Sequence, residues 1–157
     1  MLTPLLIVVW IMLGLFATIP LVVYAHRINI NQAAQVLGRG LIVAASVYVI
    51  FAVIWGDISW IGVEIAGLLI YSAFYLVPSK RIMLWVGTGW LLHILWVLGW
   101  HNFGPGAVYS PLWYVFVSSG FNLVIFVYCI YRWRHDQNVI LERSFSRYES
   151  ARGQRKR

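Results

Sequence analysis

The chain has 157 residues, of which 61% are apolar and 11% are Asp, Glu, Lys or Arg, and its formal net charge is +7. A water-soluble domain carries about a quarter charged residues, yet here the fifty positions between Arg81 and Arg132 contain none. That run excludes a soluble globule, a disordered chain and a nucleic-acid-binding domain, and leaves a polytopic membrane protein.

A helix crosses roughly 30 Å of hydrocarbon with about 20 apolar residues, and five segments meet that length. The first covers 4–24, with a kink expected at Pro20, whose missing N–H breaks a backbone bond. It has no basic n-region and no small-residue cleavage site, so it is expected to be a span and not a signal peptide. The polar stretch 26–35 leads to a second span at 38–55, and Gly56-Asp57 turns the chain into a third at 58–77. Pro78, Ser79, Lys80 and Arg81 close a hairpin with the fourth span, 82–100. A turn-rich loop, 101–111, with Gly104-Pro105-Gly106, precedes the fifth span at 112–131. Beyond it, the tail 132–157 holds eight basic residues, and Leu141, Phe145 and Tyr148 recur at spacings that predict a short amphipathic helix on the membrane surface. The last six residues, from Arg152, are expected to be disordered.

Five spans place the loops after the first and third on the side of the tail. Arg27, Arg39, Lys80, Arg81 and the eight tail cations then all share that side, and no Lys or Arg falls on the other. The positive-inside bias predicts an all-α bundle with its N-terminus outside and its tail in the cytoplasm, in the plasma or inner membrane. The expected partners are the bilayer itself, anionic headgroups at the tail, and a membrane-protein partner or second copy meeting the small residues Gly62 and Ala66 of the third span; nucleic acid is not among them. The lone Cys129 forms no internal disulfide.

An ionisable residue inside a span is a site candidate by default. Glu64 and His93 lie roughly 9 and 10 Å below the same boundary at 1.5 Å per residue, with Ser118 and Ser119 at matching depth and Asn122 one turn lower. His101 shares a face with His93 and is expected at the water boundary. The predicted cluster is Glu64, His93, Ser118 or Ser119, and Asn122, opening outward through His101 and Asp57, with Trp90 and Trp96 nearby. It is open to three readings: a hydrogen-bonded network that fixes packing; a site for a metal ion, small ligand or proton, with Glu64, His93 and His101 as the metal or proton partners; or a haem ligated by His93 or His101, which lacks a second mid-span histidine. No cofactor is otherwise indicated. There is no GxSxG, HExxH or CxxC, and no span lysine for a Schiff base.

The run Gly89-Trp90-Leu91-Leu92-His93-x-x-Trp96 with His101, after a span carrying Trp60 and Glu64, resembles an uncharacterised family of small bacterial integral membrane proteins whose motif reads G-W-L-L-H-x-x-W-D-x-x-H-H. The resemblance covers about residues 57–130. It departs at Val97, where the family has Asp, and at Trp100, where it has the first of two His, which removes half of any His/Asp metal set. The family has no established activity. The leading expectation is a non-enzymatic accessory or structural membrane component. A transport or ligand site on Glu64, His93 and His101 is the alternative, and an enzyme acting on a lipid-soluble substrate comes third.

Overall fold

The computed structural model describes residues 2–77, 79 and 81–154, whose regular structure is all helical, with no strand among them. Its helices are α1 (Leu2–Ala17), α2 (Ile19–Arg27), α3 (Ile30–Trp55), α4 (Ile58–Leu76), α5 (Ile82–Trp96) and α6 (Leu112–Gln154). A π-helical segment, Val97–Asn102, continues α5, and a single 3-10 turn, Pro105–Val108, sits between it and α6. Five helical stretches are long and apolar enough to cross a membrane. Leu5, Val8, Leu13 and Phe16 lie on the exposed surface of α1, as lipid-facing side chains must.

The break expected at Pro20 is present. Thr18 separates α1 from α2, its hydroxyl donates to the Leu15 carbonyl at 2.6 Å, and Pro20 occupies the first turn of α2, where no backbone donor is required. The stretch 26–35, expected as a connection, is helical from Ile30 onward. Asn29 caps α3 by accepting from the Gln32 N–H at 2.9 Å, and Ala33, Ala34 and Leu37 are fully buried, so packing extends the helix through its polar positions. Asp57 caps α4 in the same way, accepting from Ser59 and Trp60 N–H at 2.8 and 3.2 Å.

Helix α6 runs unbroken to Gln154, so the separate surface helix and the disordered end expected in the tail are, as far as Gln154, a continuation of the last span. The side chains of Phe145 and Tyr148, and residues 155–157, lie outside the described residues, as do Pro78 and Lys80 of the hairpin turn. No proline interrupts this stretch, and its backbone bonds can close within the helix.

Two contacts anchor Arg132 and Arg39 at one end. Arg132 donates to the carbonyls of His26 and Ile28 at 3.0 and 2.7 Å, satisfying the open end of α2. Arg39 donates to the Tyr75 hydroxyl at 3.0 Å and lies over the Tyr75 ring. The opposite end is built from the Gly56 turn and residues 102–111. Gly62 and Ala66 both face outward, away from the other helices, and nothing lies within 4 Å of a Cβ built at Gly62.

Candidate functional site

Near the less charged end the polar residues form two tiers. The upper one is centred on Glu64, 3% exposed, and His101, 1% exposed, whose Nε2 stands 3.5 Å from the Glu64 Oε1. The Tyr109 hydroxyl donates to the same carboxyl oxygen at 2.5 Å, and the Trp100 indole N–H donates to that hydroxyl at 3.1 Å. Trp96 and Trp100 also turn toward the carboxyl and stack on one another with centroids 5.3 Å apart. On its far side the His101 ring bonds through Nδ1 to Ser110 at 2.7 Å.

In the lower tier Asn122 contacts His93 Nδ1 at 2.9 Å through its Nδ2 and donates to Ser118 at 3.4 Å. Tyr71 lies edge-on to His93 at 4.9 Å. Tyr48 joins the tiers: its ring stacks on His101 at 3.9 Å and meets His93 edge-on at 5.9 Å. Its hydroxyl faces Ser118 without reaching hydrogen-bond geometry.

The location of His101 differs from the expectation. It lies inside the bundle, not at the water boundary, and it is His101, not His93, that meets Glu64. Eight residues at 100° each leave a side chain about 80° round an α-helix from its start. The wider π turn between Val97 and Asn102, marked by the Phe103 N–H bonding the Leu98 carbonyl at 3.2 Å, takes up that offset. Both histidines therefore reach the Tyr48 ring. His93 sits lower, level with Tyr71, seven residues or roughly 10 Å along α4 from Glu64.

Other expected members are arranged differently. Ser118 joins the lower tier, but Ser119 donates to the Val115 carbonyl of its own helix at 2.7 Å and points elsewhere. Asp57 is occupied as a helix cap. Trp90 packs in the neighbouring core and donates to the Leu37 carbonyl at 3.2 Å. A Cβ added to Gly89 would stand 2.6 Å from Leu41 and 2.8 Å from Phe74, so that glycine serves close helix packing. Among the described residues no three His, Cys, Asp or Glu side chains stand together as a metal-holding group; Glu64 reaches one histidine and not the other.

Tyr48, Tyr109 and Ser110 were missing from the expected cluster. Their signal was weak: a tyrosine with a polar tip in mid-span, and two hydroxyl residues just after a Gly-Pro-Gly turn. Gly106 in that turn presses against the site, since an added Cβ would stand 2.7 Å from His101 Nδ1 and 2.6 Å from the Trp100 ring. The Tyr109 phenol, outside the spans, is pushed above its ordinary range, first by burial and then by its bond to Glu64.

Among the described residues, Tyr48 Oη, His93 Nε2 and Asn122 Oδ1 of these tiers have no hydrogen-bond partner, and His101 Nε2 has only its 3.5 Å contact with Glu64. Comparison of the chain with protein-family models, with characterised proteins and with solved structures finds no match.

Proposed function

We propose that the chain is a non-enzymatic component of a plasma or inner membrane, with its N-terminus outside and its tail in the cytoplasm, in which the Glu64–His101 core fastens the 102–111 loop onto the spans. One observation carries the reading. The Glu64 carboxyl is bonded by Tyr109, which Trp100 holds in turn, and the His101 imidazole is bonded by Ser110, so both partners are tied to the loop or its margin. An acid and an imidazole buried together are electrically neutral with a single proton between them, whichever carries it. A pair of that kind holds its proton and does not leave a bare charge in low dielectric. The residues that carry the resemblance to the bacterial membrane-protein family fit the same role: Gly89 and Trp90 pack helices, and Trp96 stacks on Trp100. The orientation rests on the segregation of all Lys and Arg to one side, which also sets the tail against anionic headgroups.

The test is infrared difference spectroscopy and thermal unfolding of the full chain in lipid nanodiscs. Glu64→Gln and His101→Ala are expected to lower the unfolding temperature. No Glu64-dependent carboxyl band should change between about pH 5 and 8, the range in which a free imidazole titrates. The unpartnered polar atoms of Tyr48, His93 and Asn122 favour a second reading, proton transfer or ligand binding between the tiers. A carboxyl band that titrates in that range and is lost in a folded Glu64→Gln variant would establish it in place of the first.

A further inference from the structure

A groove of about 370 Å³ runs between α3 and α6, with Leu21 of α2 at its edge. Leu21, Val43, Val47 and Phe121 supply apolar walls, and Tyr114, Ser118 and Asn122 bring polar groups to its lining. Its volume falls at the small end of ligand pockets. Val43, 65% exposed, stands on the outward face of α3. Asn122 is ten residues into α6 from Leu112, roughly 15 Å along the helix and so about halfway through the hydrocarbon. The groove therefore opens onto lipid tails, not onto water.

We propose that this groove binds a membrane-dissolved molecule that is apolar except for one hydroxyl, such as a long-chain or isoprenoid alcohol. Asn122 uses its amide nitrogen on His93 and Ser118, while its Oδ1, in a residue 1% exposed, has no partner. A buried acceptor left unmet in an apolar setting is unfavourable, and a ligand hydroxyl supplies the missing donor. Ser46, Ser72, Thr88 and Ser119 each donate to the carbonyl four residues back, but Ser118 is joined to Asn122, leaving two polar side chains together at the groove. The acyl chain of a phospholipid could fill the walls, but its headgroup stays at the membrane surface and its chain brings no donor to mid-bilayer. The proposal does not depend on the role of Glu64 and His101, which lie in the other tier.

The experiment uses the full chain in lipid nanodiscs with a long-chain primary alcohol carrying a photoactivatable diazirine, and with the methyl ether of the same molecule. After irradiation the labelled peptides are mapped by mass spectrometry. Saturable labelling of the α3 and α6 peptides containing Val47 and Phe121 is expected, at least tenfold stronger for the alcohol than for the ether. Asn122→Leu should remove that preference. Val47→Trp, which fills the groove and leaves Asn122 in place, should abolish labelling by both probes in a folded protein. Equal labelling by alcohol and ether in the unaltered chain, or labelling that rises linearly with probe concentration as simple partitioning does, overturns the proposal.

Discussion

Tyr48 lies flat against His101, with ring centroids 3.9 Å apart and planes 17° apart, while its hydroxyl has no hydrogen-bond partner. The ring, and not the hydroxyl, holds the two polar tiers together. Tyr48→Phe is accordingly expected to change stability by less than about 1 kcal/mol, the size of a typical net hydrogen bond. Tyr48→Ala removes a fully buried aromatic ring and should lower stability by about 3–5 kcal/mol. Denaturant unfolding in detergent measures both, and a large loss in the Phe variant would show that the hydroxyl matters after all.

Gly106 permits the close approach of the loop to His101 and Trp100. Gly106→Ala should destabilise the protein by about 1–3 kcal/mol, the usual range for overpacking. Gly62→Ala, where a Cβ meets open space, should be neutral or slightly stabilising, because alanine favours helix over glycine by up to about 1 kcal/mol. Equal unfolding midpoints for the two variants would contradict the packing described for the loop.

The raised Tyr109 phenol has a consequence at alkaline pH. Above the ordinary phenol value of about 10 the unfolded chain loses this proton while the folded chain keeps it, so the folded state binds more protons and stability falls as pH rises. Tyr109→Phe lacks this dependence. The stability difference between the two proteins should therefore narrow above about pH 10, by up to about 1.4 kcal/mol per unit. The other tyrosines are common to both and cancel in the difference. A gap that stays constant with pH would mean that the Tyr109 proton is not held by the fold.

Orientation is checked by single cysteines at Val108 and Arg81, both exposed and at opposite ends. In intact cells a membrane-impermeant thiol reagent should modify Val108→Cys and reach Arg81→Cys only after permeabilisation. Cys129 is fully buried and should stay silent. The reverse pattern would invert the topology.

The five spans, the break at Pro20 and the isolation of Glu64 in an apolar helix were legible in the sequence because each depends on local composition. Hydropathy over about 20 residues, a missing N–H and a single charge in an apolar run need no knowledge of neighbours. That Arg39 and Arg132 lie at one end follows equally from counting spans. Helix ends were less legible where packing overrode polarity, as at Ile30 to Gln35, and where no breaker stopped α6.

The partners of Glu64 were a different matter. Depth along a helix can be computed from residue number, but rotation about its axis depends on every turn before it, and the π turn after Trp96 shifts His101 onto the face that meets Glu64 and Tyr48. Ser118 and Ser119 are adjacent in sequence, so they point to different sides of α6, and only helix packing determines which of them faces Asn122. The amino-acid sequence by itself determined that five helices are long and apolar enough to cross a membrane and which polar residues must be explained there. The tertiary structure alone decided which of them meet, because contacts between spans depend on helix rotation and close approach, neither of which is written in a one-dimensional pattern.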